Sequence, residues 1–405
     1  MLDVRTALNL LLDAARPVLE HEIVPTIEAA DRVLAHDVLS RVNVPPMRAA
    51  QMDGYAVRTS EVANASDAAP VRLRVAQRIP AGTVGTALEP GTAARIFTGA
   101  PLPVNADAVV MQEQTRADGD DVWIQHAPRS GEWIRPIGED IAEDDVVLNT
   151  GEPLTPQALG LAASVGCATL AVRRRVRVAA FFTGNELAMP GEALKPGAIY
   201  NSNRFVLRAL LTRLGCEVHD FGIVRDDRGA TIEALKAAAR DCDLVVTSGG
   251  MSVGEEDHVK PAVEAVGKLS LWQIAIKPGK PLAFGEIERD ARAPAFFIGL
   301  PGNPVSAFVT FLLFVRPFVL KLQGHTQIEP RRYTMRADFD WPRPDKRQEY
   351  LRVRINAQGG LDVFESQSSS VLTSTVWGDG LVENLPGQTI ARGQLVTFIP
   401  FKELS

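Results

Sequence analysis

Cysteine is scarce in this chain, and its spacing excludes several kinds of site. The 405 residues contain three cysteines, Cys167, Cys216 and Cys242, and no two of them have CxxC spacing. An odd number of widely spaced cysteines argues against a disulfide framework, a zinc site and an iron–sulfur cluster. The six histidines show no HxxxH spacing either. We therefore expect reduced, buried thiols and no zinc enzyme.

Positive charge is also in short supply. The chain has 43 basic and 49 acidic side chains, which give a formal net charge of −6. Nucleic-acid binding usually needs a basic surface, so no nucleic-acid partner is expected. An anionic substrate would need a local cationic pocket.

Long apolar runs are missing as well. The most apolar run, 307–315, is far shorter than the roughly 20 residues that a membrane-spanning helix needs. A secretory signal has an uninterrupted apolar stretch. Four charged residues interrupt the N-terminal stretch: Asp3, Arg5, Asp13 and Arg16. We therefore expect a cytoplasmic protein with no membrane partner.

The first half of the chain combines helical and β patterns. Apolar residues recur every three or four positions in TALNLLLDAARPVL and TIEAADRVLAHDVL, which predicts two helices, and another is expected at 156–165. Strand-like alternation in VRLRVAQRI and DVWIQHA predicts a β-domain between them. We expect 1–44 and 139–174 to form an elongated helical domain, into which a β-domain at 45–138 is inserted.

Strands and helices alternate from 175 to 325. Continuous apolar strands such as VRVAAFF, DLVVTS and APAFFIGL, separated by amphipathic helices, are typical of a mostly parallel sheet covered on both faces. This region is the predicted αβα domain of a multidomain α/β fold. Residues 326–405 are β-like again, because Leu351 and Val353 alternate with Arg352 and Arg354 as in a half-buried strand. A barrel-like β-domain is expected there.

Ligands of open α/β sheets bind beyond the carboxyl ends of the strands. Five loops fall at those ends: TGNEL (183–187), RDDRG (225–229), TSGGMSVGEED (247–257), IKPGKP (276–281) and GLPGNP (299–304). Each alone is compatible with ordinary turn chemistry. Five such loops at one predicted edge indicate a site.

The residue types in these loops suit a phosphate or oxyanion ligand. Gly249, Gly250 and Gly254, with Ser252 between them, could present backbone N–H groups to an anion. Lys277 and Lys280 flank a rigid Pro-Gly turn and supply positive charge. Since exposed lysines contribute little to stability, we expect neutralising either one to weaken binding rather than folding.

Three carboxylates follow different strands of the same sheet. Glu186, Asp226 and Asp257 are placed to hold Mg²⁺ beside substrate phosphates. Asp226, Asp227 or Asp257 could equally cap the helices that follow them. The residues alone leave both alternatives open.

A serine hydrolase is an alternative of another class. GMSVG matches the G-x-S-x-G elbow around Ser252, but two glycines separate the strand from Met251 and the acidic run EED follows. His325 is the only distant downstream histidine. We therefore expect no hydrolase activity.

Residues outside the sheet region also attract attention. Asp53 lies at a proline-rich junction, Thr98 on a sharp turn, and Arg135 and Asp140 at the return from the β-domain. Hinge and turn roles would explain them equally well. The serines Ser366, Ser368, Ser369 and Ser370 form either a flexible loop or a hydroxyl-lined one.

These motifs resemble a known family. MDGYAV, TGAPLP, VVMQEQ, TGNEL, SGGMSVGEED, IKPGKP and GLPGNPVSA occur in the order found in molybdopterin molybdenumtransferases, the MoeA family, which includes the gephyrin C-terminal domain. The resemblance covers essentially the whole chain and is weakest in the terminal β-domain. Gephyrin also organises receptors, so a non-catalytic scaffold is a further alternative. A scaffold has no reason to keep carboxylates and lysines together at strand ends.

The resemblance implies a homodimer in which the sheet domain of one subunit and the β-domains of the other form a cleft. It implies that molybdopterin adenylate and molybdate react there with Mg²⁺, that AMP is released, and that a molybdopterin adenylyltransferase is a transient partner. By motif position, the catalytic residues are Asp53, Glu186, Asp226 and Asp257, and the last three are the metal ligands. By motif position or residue type, the substrate-binding residues are Thr98, Arg135, Asp140, Gly249, Gly250, Ser252, Gly254, Lys277, Lys280, Pro301 and Pro304.

The chain departs from the family pattern at two positions. Asn185 replaces the aspartate that usually precedes the glutamate, so a second carboxylate there is lost or its role passes to Glu186. Gln273 stands where relatives often carry a basic residue, which would weaken one anion contact.

Overall fold

A computed structural model describes residues 1–250, 258–290 and 292–404. The predicted site residues Ser252, Gly254 and Asp257 lie outside the described residues. The elements of the first half, in chain order, are α1 (Val4–Ala14), β1 (His21–Pro25), β2 (Val38–Leu39), β3 (Ala49–Ala50), β4 (Gly54–Val57), β5 (Val71–Ile79), β6 (Thr92–Ile96), β7 (Ala108–Met111), β8 (Thr115–Asp118), β9 (Asp121–Ile124), β10 (Ile134–Arg135), β11 (Val146–Leu148), α2 (Pro156–Ser164) and β12 (Thr169–Arg173).

The predicted β-region is a six-stranded sheet with its own core. Its strand order is β7-β4-β6-β5-β9-β8. The chain enters and leaves this sheet along an antiparallel ribbon, in which Leu39 faces Val146, Val44 faces Ile141 and Ala49 faces Arg135. The two connections therefore run side by side and form one neck between this sheet and the rest of the first half.

Residues 29–38 and 141–172 share one hydrophobic core, in which Leu34, Leu148, Leu154 and Val172 are buried. The opening helix α1 does not belong to this core. It is capped by Asp3, which accepts a hydrogen bond from the Thr6 amide, and it buries Val4, Ala7 and Leu11 against the αβα region. This placement differs from the expected grouping of the whole 1–44 segment.

The second predicted helix, TIEAADRVLAHDVL, is wrong. The segment forms a 3₁₀ turn at Thr26–Glu28, and Asp31 then adopts a left-handed φ of 60°. Leu34 pairs with Val172, and the Ala35 amide donates to the Ala171 carbonyl. Pairing with β12 buries this backbone, so tertiary contacts override the helical period.

The second half contains β13 (Arg177–Thr183), β14 (Leu187–Ala188), β15 (Ile199–Tyr200), α3 (Ser202–Arg213), β16 (Glu217–Val224), α4 (Arg228–Asp241), β17 (Leu244–Ser248), α5 (Val259–Val266), β18 (Gly267–Gln273), β19 (Ile276–Lys277), β20 (Pro281–Ile287), β21 (Ala295–Leu300), α6 (Pro304–Thr310), α7 (Arg316–Leu322), β22 (Tyr333–Arg336), β23 (Gln348–Ile355), β24 (Leu361–Val363), α8 (Thr373–Trp377), β25 (Gly380–Asn384), β26 (Leu395–Pro400) and α9 (Phe401–Leu404).

The central sheet has the order β16-β13-β17-β21-β20-β18. Strands β16, β13, β17 and β21 are parallel, and β20 is antiparallel to both β21 and β18. Only β20 therefore runs against the others, which confirms a mostly parallel αβα sheet. Separate buried clusters cover its two faces.

The predicted closing helix is continuous from Pro304 to Leu322, with a π-helical segment, Phe311–Val315, between α6 and α7. This wider turn directly precedes Pro317. Proline has no backbone N–H to donate and disrupts the interior of a regular α-helix. At 19 residues it is long and apolar enough to cross a membrane, but 78% of its most apolar window is buried inside the protein. It packs as the core helix of the sheet region.

The C-terminal region is a barrel-like sheet with the order β19-β23-β25-β26-β22, and β24 pairs with β23. A bridge between Ala337 and Leu361 joins the end of β22 to β24 and closes the ring. Strand β19 comes from the αβα region, so the two regions share backbone pairing. The cysteines are free, and burial raises the pKa values of Cys216 and Cys242 to about 12.

Candidate active site

The carboxyl ends of the parallel strands meet at one edge of the central sheet. In the strand register, Thr183 faces Val224, Phe182 faces Ser248, and Ser248 faces Leu300. Since β20 runs the other way, it begins at this edge, with Pro281 opposite Gln273 of β18. All five predicted loops therefore reach the same edge.

A cleft of about 1020 Å³ lies at this edge. Eight of the predicted site residues line it: Glu186, Asp226, Gly249, Gly250, Lys277, Lys280, Pro301 and Pro304. The C-terminal barrel supplies another part of the wall, Arg347 and the serine loop 367–370. The cleft therefore lies between the αβα region and the barrel.

The acidic wall carries Glu186 and Asp226. They follow the neighbouring strands β13 and β16, and both line the cleft. The carboxylate of Glu186 folds over Gly184, where a Cβ would lie 2.6 Å from Glu186 Oε2. Glu186 is exposed and Asp226 half-buried.

The helix-capping alternative is resolved for the Asp226–Asp227 pair. Oδ1 of Asp227 accepts a hydrogen bond of 2.8 Å from the Ala230 amide, so Asp227 caps α4. Asp226 lines the cleft instead. The two neighbouring aspartates thus have different positions and can be tested against each other.

Two carboxylates on adjacent strand ends fit Mg²⁺, which commonly takes one or two carboxylates beside substrate phosphates. Across the described ranges, no three His, Cys, Asp or Glu side chains are grouped so as to hold a metal ion. The third predicted ligand, Asp257, lies outside those ranges. Glu186 and Asp226 are the described residues that would hold the ion.

The glycine turn after β17 requires glycine. Gly249 and Gly250 have φ values of 103° and 61°, which L side chains rarely adopt. A Cβ on Gly249 would lie 2.2 Å from the Thr183 carbonyl oxygen. The turn therefore brings bare backbone up to the end of β13, as a ligand-binding loop needs.

The two lysines have different surroundings. Nζ of Lys277 lies 2.8 Å from Oε1 of Glu349 and 3.3 Å from Oδ2 of Asp345. Partial burial lowers the pKa of Lys277, but the two carboxylates outweigh it and the net pKa is raised. Lys280 is exposed and has no ion-pair partner in the described part of the chain. Lys280 is therefore the freer cation of the pair.

Glu349 changes one expectation about Lys277. Glu349 is 1% exposed, and its Oε2 accepts hydrogen bonds from Trp341 Nε1 at 2.8 Å and Asn384 Nδ2 at 3.1 Å. Removing Lys277 would leave this buried carboxylate without its cation. We therefore expect neutralising Lys277, unlike Lys280, to lower stability as well as binding.

The proline loop after β21 is fixed by hydrogen bonds from its neighbours. The Ser248 hydroxyl donates to the Pro301 carbonyl at 2.8 Å, and Asn203 Nδ2 donates to the Gly302 carbonyl at 2.7 Å. Pro304 is the first residue of α6. These contacts hold Pro301 and Pro304 in the cleft wall.

The serine run is a hydroxyl-lined loop of the cleft. The Val305 amide donates to the Ser369 carbonyl at 3.0 Å, and Asn303 Nδ2 lies 3.1 Å from Ser369 Oγ. Arg352 Nη2 donates to the Ser368 carbonyl at 3.1 Å. Sequence reasoning left this loop undecided, and only its run of hydroxyls signalled it.

Four predicted residues do not line this cleft within the same chain. Asp53 Oδ1 accepts hydrogen bonds from the amide and hydroxyl of Thr98, at 2.8 and 2.7 Å, and these lower the pKa of Asp53. Arg135 lies 3.7 Å from Glu139, and Asp140 is exposed. Asp53 and Thr98 thus form one pair on the β-region, with Arg135 and Asp140 on its neck.

The hydrolase alternative gains no support from the described residues. His325, the distant downstream histidine, does not line the cleft. Burial and the charge of Arg316 lower its pKa to about 4. The serine of the motif, Ser252, lies outside the described ranges.

Comparison with known proteins covers nearly the whole chain. Residues 2–166 match "MoeA N-terminal region (domain I and II)", 179–321 match "Probable molybdopterin binding domain", and 334–401 match "MoeA C-terminal region (domain IV)". The Haemophilus influenzae molybdopterin molybdenumtransferase is 40% identical over 93% of both chains. The Nostoc enzyme of that name is 37% identical over 86% of this chain and 80% of its own.

Solved structures indicate the same family as the sequence matches. A crystal structure of the molybdopterin biosynthesis MoeA protein from Pyrococcus horikoshii covers 99% of both chains, with 31% identity and a TM-score of 0.83. Fold and relatives thus define an α/β transferase, with a candidate site in the cleft at the carboxyl edge of the sheet. The chain belongs to the MoeA family of molybdopterin molybdenumtransferases, a transferase family of molybdenum cofactor biosynthesis.

Proposed function

We propose that this protein inserts molybdenum into the dithiolene of molybdopterin, with adenylylated molybdopterin and molybdate as substrates. The observation that carries the proposal is the cleft itself. Glu186 and Asp226 lie on one wall, and Lys280 and Arg347 lie on the others. Such a cleft can hold a divalent cation, a phosphate and an oxyanion together.

The chemistry needs little from the protein beyond charge and position. The sulfur ligands belong to the pterin, which agrees with the absence of a cysteine in the wall of the cleft as described. Water cleaves the pyrophosphate linkage, one P–O bond breaks, and AMP leaves while the pterin keeps its own phosphate. Mg²⁺ would neutralise the charge that develops on the phosphate oxygens. Glu186 and Asp226 would hold that ion, and Lys280 would attract the oxyanion.

A symmetric homodimer belongs to the proposal. The first region exposes apolar side chains: Ile23 is 64% exposed, Ile27 89%, Leu39 50% and Val146 49%. Leu39 and Val146 face each other across the β2–β11 pair. Burial of this surface against a second copy would remove it from water.

The dimer also gives Asp53, Thr98, Arg135 and Asp140 a role. Since they do not line the cleft of their own chain, we propose that they complete the cleft of the other subunit. Asp53 would then act on the pterin or the oxyanion from the opposite wall. Asp257, with Gly254 and Ser252, would complete the glycine loop and the metal site.

The test is direct. The purified protein is incubated in a cytoplasm-like buffer with molybdopterin adenylate, Mg²⁺ and molybdate, and AMP is quantified while the product is used to reconstitute a cofactor-free molybdoenzyme. We expect AMP and enzyme activity to appear together. In a second form of the assay, a molybdopterin adenylyltransferase, the proposed transient partner, replaces the added adenylate and supplies it in situ. Failure to form either product would contradict the proposal.

A further inference from the structure

Two buried polar groups on the floor of the cleft have no hydrogen-bond partner among the described residues. They are Oγ1 of Thr183 and Nδ2 of Asn201. Each residue is 2% exposed, and both line the cleft. A buried polar group without a partner lowers stability, so its presence in a ligand cleft calls for a functional explanation.

The orientation of the Asn201 amide is fixed by the helix that it caps. Its Oδ1 accepts a hydrogen bond of 3.1 Å from the Arg204 amide at the start of α3. An N-cap side chain must accept a hydrogen bond, so the amide oxygen of Asn201 faces the helix and its Nδ2 points away from the helix amides. The unused group is therefore a hydrogen-bond donor.

The Thr183 hydroxyl lies at the end of β13, beside the glycine turn. A Cβ on Gly250 would lie 2.9 Å from Thr183 Oγ1, and one on Gly249 would lie 3.1 Å away. Any larger residue in the turn would crowd this hydroxyl. The two glycines thus leave the hydroxyl uncrowded on the side of the turn.

The N-terminus of α3 faces the same space, because Asn201, Ser202 and Asn203 all line the cleft. This helix has 12 residues, and the partial positive charge at its N-terminus favours an anion. The two donors and the helix end therefore suit one type of ligand, a phosphate.

We infer that Thr183 Oγ1 and Asn201 Nδ2 donate hydrogen bonds to a phosphoryl oxygen of the substrate at the N-terminus of α3. This inference rests on the proposed function, because the adenylate linkage supplies the phosphate. Glu186 and Asp226 follow the adjacent strand ends, so they would hold a metal ion on the side of the cleft next to that phosphate. Thr183 and Asn201 are substrate-binding residues additional to those carried by the sequence motifs.

Substitutions can remove each donor while keeping the local structure. Thr183→Val keeps the shape of the side chain and removes the hydroxyl. Asn201→Ser keeps an oxygen cap for α3 and removes the amide. Thr247→Val is the matched control, because Thr247 is 0% exposed, its Oγ1 also lacks a partner in the described chain, and it does not line the cleft.

The readouts are calorimetric binding of AMP and pyrophosphate in the presence of Mg²⁺, and thermal unfolding. We expect Thr183→Val and Asn201→Ser to raise the Kd for AMP about tenfold or more, because each removes a hydrogen bond to a charged acceptor. Binding of adenosine, which has no phosphate, is unchanged. Both valine variants melt at or above the wild-type temperature, and Thr247→Val binds AMP like the wild type.

Three results would overturn the inference: wild-type affinity for AMP in both cleft variants, an equal loss of adenosine affinity, or no binding of AMP or pyrophosphate by the wild type. Should Asn201→Ser fail to fold, Thr183→Val decides. A wild-type protein that binds AMP but inserts no molybdenum would contradict the proposed function and leave the two donors supported.

Discussion

Nζ of Lys277 lies 2.8 Å from Oε1 of Glu349, and this ion pair joins the αβα region to the C-terminal barrel. Lys277 ends β19, which pairs with β23, and Glu349 lies on β23 with a 2% exposed side chain. The charge that sequence reasoning assigned to the substrate is thus partly used inside the protein.

Replacing Lys277 by Ala should therefore destabilise the fold. Loss of one partner leaves Glu349 as a buried carboxylate without its cation, and since Lys277 itself is partly exposed we expect a loss of about 1–3 kcal/mol in the free energy of unfolding. Urea denaturation measures it. Adding Glu349→Gln to Lys277→Ala should recover part of the loss, and an unchanged stability in the single variant would mean that solvent replaces the lysine.

Lys280 is the matched comparison. It is exposed and lacks an ion-pair partner within the described ranges, so Lys280→Ala should change the unfolding free energy by no more than about 0.5 kcal/mol. The affinity of the Lys280→Ala variant for molybdate, measured by calorimetry, should be lower than that of the wild type. Unchanged molybdate affinity would remove Lys280 from the site.

The adjacent aspartates Asp226 and Asp227 should behave differently. Asp226→Ala and Glu186→Ala should reduce AMP release sharply and weaken its dependence on Mg²⁺, with the fold retained. Asp227→Ala removes the cap of α4 and should cost about 1 kcal/mol of stability with AMP release intact. The opposite pattern, with activity lost only in Asp227→Ala, would show that the metal site is misplaced.

Mixed dimers test whether two subunits build one cleft. Light scattering should give about twice the 43.8 kDa subunit mass. If Asp53 of one subunit serves Glu186 of the other, a mixture of Asp53→Ala and Glu186→Ala subunits regains activity, because a mixed dimer contains one intact cleft. No recovery in proven mixed dimers, or a monomer in solution, would contradict the shared cleft.

His325 should make stability depend on pH. Burial and the neighbouring Arg316 lower its pKa from 6.5 to about 4. The unfolded chain therefore binds this proton more tightly than the folded protein does. Its contribution to stability is complete above pH 6.5 and is lost as the pH falls towards 4, by at most about 3 kcal/mol. His325→Gln should flatten the unfolding free energy over this range relative to the wild type, and parallel curves would exclude His325 as the cause.

The sequence predicted the central sheet and its loops well, because buried parallel strands are continuous apolar runs with the site at their carboxyl ends. The helix predicted over 26–39 does not form, and the apolar spacing alone could not show this. Asp31 turns the chain through a left-handed φ, and Leu34 then pairs with Val172 of β12. Such pairing depends on residues more than 130 positions away.

The burial of Arg352 in β23 was also not predictable from the local sequence pattern. Alternation predicted it on the solvent face, but it is 1% exposed and its guanidinium donates to Ser374 Oγ and the Ser368 carbonyl. Burial lowers its pKa to about 10. Among the described residues, its guanidinium donates to hydroxyl and carbonyl oxygens and not to a carboxylate, so no acidic partner signals its burial in the sequence. Thr183 and Asn201 escaped notice for a similar reason, since their donors are exceptional only once burial is known.

The most direct test of the account counts AMP released per molybdenum inserted, in single turnover, for the wild type and for the double variant Glu186→Ala/Asp226→Ala. We expect one AMP per molybdenum in the wild type when Mg²⁺ and molybdate are both present. We expect neither product from the double variant, although that protein should remain folded and dimeric. Molybdenum insertion without AMP release, or wild-type turnover by the double variant, would contradict it.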